Sequence, residues 1–198
     1  MPTTFLHLLD ENLLVTERVL DNLEIKDVNR LVEAVGLPSR WRPLEDNGGS
    51  SSSGRMPAKV AQLTQFREAM LGYCKRMIPV ILESGTSFDE LWRLELWCEC
   101  VDRCRLEELD REFATTCEAV LLEKLQTDDD DYDEDYDLMN SKWVLLSYLQ
   151  AVFGMEVHRD PEMVEKMLEW FPCCGCTDVW YIITREGVRV NVAIYDHD

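Results

Sequence analysis

The chain has 198 residues, and its 39 Asp and Glu outnumber 20 Lys and Arg to give a formal net charge of −19. It is 46% hydrophobic, the composition of a chain that buries a core rather than of a disordered one. So negative a surplus is repelled by phosphate backbones and by anionic lipid, which argues against nucleic acid or a membrane as the main partner.

The N-terminal residues 1–30 hold no basic stretch followed by a long apolar run, because Asp10, Glu11, Glu17, Arg18 and Asp21 interrupt the apolar positions. A secretory leader is therefore not expected, nor is a membrane span. The expected setting is intracellular, cytoplasmic or nuclear, where the 8 Cys stay reduced thiols rather than forming a disulfide framework.

Residues 5–35 read as two or three short helices. Their apolar set is Phe5, Leu8, Leu9, Leu13, Leu14, Val19, Leu20, Leu23, Val28, Leu31, Val32 and Val35. Asp27 has the character of an N-cap for a helix from Val28 to Val35, and Gly36 that of its stop. Leu37-Pro38 and Arg42-Pro43 favour extended or turning backbone. Trp41 lies between two arginines and could anchor the end of this segment on the main domain. Residues 47–54 read NGGSSSSG, a flexible linker by composition. The expected organisation is thus an N-terminal helical segment, 1–46, a linker, 47–55, and a main domain, 56–198.

After the linker, Met56, Val60, Leu63, Phe66, Met70, Tyr73 or Cys74, and Met77 recur at helical steps, toward an end between Pro79 and Gly85. Ser87 and Glu90 have capping-box spacing. From there to Leu125 the pattern is helical, with a break expected between Cys104 and Glu108. Its core candidates are Leu91, Leu94, Cys98, Val101, Leu109, Phe113, Cys117, Val120 and Leu121. Cys98, Cys100 and Cys104 read as small buried hydrophobes. Trp92, Trp97, Trp143, Trp170 and Trp180 read as core.

The charge is concentrated next. Residues 89–137 carry nineteen acids and five bases, a net of −14, while residues 1–55 carry only −3. The densest part is Asp128, Asp129, Asp130, Asp131, Asp133, Glu134, Asp135 and Asp137, interrupted only by Tyr132 and Tyr136. Like charges at this density stay in water, so 126–137 is expected to be a solvated acidic loop. It keeps the chain soluble on the plainest view and docks a basic protein on a sharper one. It lacks the Gly and closing Glu of an EF-hand loop. Leu138 to Phe153 reads as an apolar helix ended by Gly154, and Asp160-Pro161 as the cap and first residue of a short helix toward Phe171. Val179 to Thr184 and Val188 to Tyr195 are β-branched and aromatic around Arg185-Glu186-Gly187, the pattern of a hairpin over 179–195.

No catalytic signature is present: no nucleophile elbow, phosphate loop, dinucleotide fingerprint or HExxH, and only His7, His158 and His197 as imidazoles. Cys173, Cys174 and Cys176 are candidates for a metal or redox site. Cys173 and Cys176 have the spacing of a zinc pair, but no second pair lies nearby to close it. No cofactor is expected.

Val19-Leu20-Asp21-Asn22-Leu23-Glu24-Ile25-Lys26-Asp27-Val28-Asn29-Arg30-Leu31 resembles the middle of an F-box: an apolar pair, Leu, Asp-apolar, then a later Leu. Leu9, Glu11, Leu13 and Leu14 resemble its opening, with Asp10 where the family has Pro and a longer step from Leu13-Leu14 to Val19-Leu20. The resemblance implies a substrate adaptor of a cullin–RING ubiquitin ligase. Leu14, Val15, Val19, Leu20, Leu23, Val28 and Leu31 would then meet a Skp-type subunit, and the chain from Met56 onward would recruit the target. Without the resemblance, the same residues pack on the chain's own core. The expected fold is mainly α, a multi-helix bundle with a C-terminal β-hairpin. The expected class is a non-enzymatic protein-interaction module.

Overall fold

The computed structural model describes residues 10–40, 58–84, 88–126, 136–162, 165–166, 178–184 and 187–194. Among these the chain forms seven helices and a three-stranded antiparallel sheet at the C-terminus. The mainly helical expectation therefore holds, with one strand more than the hairpin foreseen.

Helix α1 (Leu13–Leu20) starts at Asn12, whose side chain accepts the Val15 N–H at 3.2 Å. Helix α2 (Ile25–Val35) ends at Gly36, which takes the left-handed φ of 67° that a residue with a Cβ adopts at a cost. Asp27 is not its N-cap. The helix begins at Ile25 with Glu24 in the cap position, which leaves the Asp27 carboxylate in the first turn, where the helix dipole favours it.

Helix α3 (Ala58–Gln62) and helix α4 (Thr64–Glu83) are separated by Leu63, which offers no side-chain cap. The missing acceptor comes from far away in sequence: Asp10 Oδ1 accepts the Phe66 N–H at 3.0 Å. At the other end of α1, Asp21 pairs with Arg76 of α4. Two contacts in the same order along both helices lay α1 parallel to α4. Pro79 lies inside α4, which continues to Glu83. Lys124 donates to the Leu82 carbonyl at 3.3 Å and to that of Ser84, satisfying acceptors that a helix end leaves open.

Helix α5 (Phe88–Cys104) is central, in contact with α2, α4 and the later helices. It ends where the break was expected: Arg105 takes a left-handed φ of 53°, and Leu106–Glu108 form a 3-10 turn. Asp110 then caps α6 (Arg111–Gln126), its Oδ1 accepting the Glu112 and Phe113 N–H groups at 2.9 and 3.1 Å. Leu109 is 37% exposed rather than core. The left-handed residue at 105 puts it out of phase with the stripe that a straight helix would have made.

Helix α7 (Tyr136–Phe153) takes in Asp137, so the acidic run is helical at its last residue. The Ser87 cap, residues 128–135, Trp41 and Trp170, and Cys173, Cys174 and Cys176 lie outside the described residues. Of the short helix foreseen after Asp160, residues 161–162 and 165–166 are helical.

The sheet has the order β1 (Glu156–Arg159), β2 (Asp178–Ile183), β3 (Arg189–Ile194). Trp180 pairs with Val192 and Ile182 with Val190, the register of the hairpin. Ile182 and Val190 are buried, and Val157 and Trp180 pack on the helical core. The opposite face carries His158 stacked on Tyr181 with centroids 5.1 Å apart, and the Arg189 guanidinium 3.9 Å from the Tyr181 ring.

One apolar cluster runs from Leu20, Val28 and Val32 through Phe66, Met70 and Trp97 to Leu121, Leu146 and Ile182. The N-terminal helices share this core. Trp97 is wholly buried, donates its indole N–H to the Cys74 carbonyl at 3.1 Å and meets Phe113 edge to face. Trp92, by contrast, is 42% exposed. Cys98, Cys100 and Cys104 are buried hydrophobes as expected, and burial pushes the Cys104 thiol up to about 12. Such thiols are protonated and unreactive.

Candidate functional site

Two places in the N-terminal segment depart from simple core packing: the outer face of α1 and the chain just after α2. On an α-helix, positions 13, 16, 17 and 20 share one side, and positions 14, 15, 18 and 19 the other. The inner side of α1 is conventional. Leu20 and Thr16 are fully buried, and Leu13 packs on the core. The outer side is not, because Leu14 is 71% exposed, Val15 50% and Val19 37%. Single exposed apolar residues are ordinary. Here three large ones adjoin on one face of an eight-residue helix.

The structure thus divides the seven residues singled out by the F-box resemblance. Leu14, Val15 and Val19 face outward. Leu20 and Val28 are wholly buried, and Leu23 and Leu31 are partly buried against the core. The buried members serve the fold because α1 lies on α4 and α2 on α5. Asn29 of α2 adds a polar contact, donating to Glu99 of α5 at 2.6 Å.

The second place is a polar corner that no local pattern in the sequence announced. Beyond α2, the chain from Leu37 to Arg40 is held against the end of α5. Arg103 donates to the Leu37 carbonyl at 3.1 Å. Asp102, wholly buried, accepts from the Ser39 hydroxyl at 2.6 Å and from the Arg40 N–H and Nε at 2.8 Å each. The Arg40 guanidinium also reaches Glu107 at 2.5 Å and lies 3.7 Å from Glu108. Burial alone would make Arg40 easier to deprotonate; Glu107 and Asp102 outweigh it and hold the guanidinium charged.

From the other side, Arg67 of α4 donates to the Cys104 carbonyl at 2.7 Å and the Arg105 carbonyl at 2.9 Å. These are the acceptors that the end of α5 leaves open. Arg105 lies 3.4 Å from Asp102. Buried Tyr148 of α7 is near enough to feel Asp102 and Glu107, and its hydroxyl has no hydrogen-bond partner among the described residues. Glu107 is the enclosed carboxylate of the corner. Its side chain is 7% exposed, and Oε2 is buried with no partner among the described residues. Burial pushes its carboxyl up to about 7, against the pull of Arg40 and of its own backbone N–H.

The chemistry available at the corner is ion pairing and hydrogen bonding between largely buried groups. Among the described residues no group of three or more His, Cys, Asp and Glu is placed to hold a metal ion. No helix of the described residues is long and apolar enough to cross a membrane. Sequence reasoning missed Arg40, Asp102 and Glu107. The available signal was Asp102 itself, an ionisable residue four positions after Cys98 on an otherwise apolar stripe. No protein-family model, no curated protein and no solved structure matches this chain.

Proposed function

We propose that the chain is a non-enzymatic protein-interaction module, and that the outer face of α1 is where it meets its partner. One observation carries this reading: Leu14, Val15 and Val19 adjoin on the outer side of α1, while the fold packs Leu13, Thr16 and Leu20 on its inner side. Val15 and Val19 lie one turn apart, with Leu14 beside them, which is the anchor spacing of a helix seated in an apolar groove. The partner class that the F-box resemblance implies is a Skp-type subunit of a cullin–RING ubiquitin ligase. The helical body beyond Met56 would then recruit the target.

The test is direct. The full chain is mixed with a purified Skp-type subunit at micromolar concentration and run on size exclusion. A one-to-one complex is expected. The double variant Leu14→Asp, Val15→Asp should keep the wild-type helical signal and melting temperature, because both side chains are at least half exposed, yet form no complex. No complex with the wild type would remove the adaptor reading; a complex that survives the double variant would remove α1 as its seat.

A further inference from the structure

We propose that Glu107 is a proton-operated latch on the N-terminal segment: taking up a proton there weakens the docking of Arg40, and undocking Arg40 makes the proton bind more tightly. The geometry that carries this is the enclosed carboxylate. One oxygen of Glu107 meets Arg40 at 2.5 Å and the other is buried with no partner among the described residues. A carboxylate out of water, with one buried oxygen that no described residue meets, is costly in its charged form. Arg40 is the strong compensation, and it belongs to a segment 67 residues away in sequence. Charge on Glu107 and docking of Arg40 therefore favour each other, and linkage makes that coupling reciprocal.

The groups facing Glu107 come from every element around it. Arg40 approaches from the chain after α2, Arg67 from α4, Cys104 from α5, Glu108 from the same 3-10 turn, Cys117 from α6 and Tyr148 from α7. Burial raises the Cys104, Cys117 and Tyr148 groups far above neutrality, so they stay neutral and contribute no charge. Arg67 is eased downward by burial and remains a cation at neutral pH. The charge of Glu107 changes close to physiological pH.

The sign of the stability effect comes from the raised pKa. The unfolded chain releases this proton around the ordinary 4.5, the folded chain around 7. Between those values the folded state binds more protons, so this contribution is fully present below 4.5 and is lost as pH rises through 7. Imidazoles titrate in the same range, and the chain has 3 His, so a difference between proteins is the proper readout.

The experiment is a carboxyl 13C NMR titration of the full chain labelled at glutamate Cδ, with the Glu107 signal assigned by its loss in Glu107→Gln. The expected midpoint is near 7. In Arg40→Gln the midpoint should move up by about one unit or more, as removal of an adjacent opposite charge requires. As pH falls from 8 to 5.5, the wild-type melting temperature should gain about 5 °C on that of Glu107→Gln. If Arg40→Gln does not fold, the wild-type titration and the comparison with Glu107→Gln still decide. A wild-type midpoint near 4.5, a midpoint unmoved by Arg40→Gln, or parallel melting curves for wild type and Glu107→Gln would each overturn the latch.

Discussion

The outer face of α1 and the Arg40 corner sit on the same N-terminal segment and are built on opposite plans. The corner encloses charge: Arg40, Asp102 and Glu107 are all at most 15% exposed at the side chain. The outer face of α1 does the reverse and leaves Leu14, Val15 and Val19 in water. Burying charge and exposing hydrocarbon are both unfavourable, so neither arises from core packing alone. The corner explains how the segment is held. The exposed face suggests what holding it in place would be for: a segment fixed by directional contacts can present an apolar strip without collapsing that strip onto its own core.

The largest effect should come from cutting the corner. Arg40→Ala leaves Asp102 and Glu107 without their shared cation, and removing one partner of a buried ion pair typically costs about 3–5 kcal/mol. Urea unfolding followed by tryptophan fluorescence would measure it. A loss below about 1 kcal/mol, the level of an exposed pair, would mean that the corner is wetter than its geometry indicates and that the contrast with α1 is weaker than drawn.

Much of the helical frame was legible because its signals are local. Gly36 closes α2, the break after Cys104 falls where it was expected, and the hairpin pairs around Gly187. What was not legible depends on distance along the chain. Strand β1 is the four residues EVHR, with one apolar position, and it becomes a strand by pairing with β2. Asp10 caps a helix 56 residues away, and Arg40 meets Asp102 across 62. No short window of sequence contains both ends of either contact. The candidate set on α1 and α2 was legible as apolar but not as divided. Periodicity distinguishes two faces of a helix without saying which one is covered.

The two faces of α1 offer the next comparison. Leu20 is wholly buried, and Leu20→Ala should cost about 2–5 kcal/mol through lost burial and the cavity left behind. Equilibrium unfolding of that variant checks the inner face. A loss under about 1 kcal/mol would indicate that α1 rests loosely on α4, and its outer strip would then be no better fixed than a frayed end.

A smaller effect tests how the start of α1 is tied down. Asp10→Ala removes the acceptor for the Phe66 N–H, and Leu63 supplies no replacement. Loss of a cap costs about 1 kcal/mol, readable as a drop in the urea midpoint with an unchanged slope. Asp10→Asn, which keeps an acceptor oxygen, should recover most of it. Failure of Asn to recover the loss would assign the effect to the charge of Asp10 near the start of α4 rather than to the hydrogen bond.

The smallest stability change should come from Leu14→Ala, on the same helix as Leu20 and with the same atoms removed. At 71% exposed, Leu14 contributes little to the core, and a change within about 0.5 kcal/mol is expected. Its value lies in the pairing with a binding measurement. If α1 meets a partner through this face, affinity should fall about tenfold while the unfolding curve stays in place, since burying a leucine at an interface is worth about 1.5–3 kcal/mol. If stability falls as far as in Leu20→Ala, Leu14 is covered by the chain itself, and the apolar strip is interior surface rather than a docking face. Equal loss at both positions would therefore erase the division of α1 into two faces, and with it the physical basis for placing a partner there.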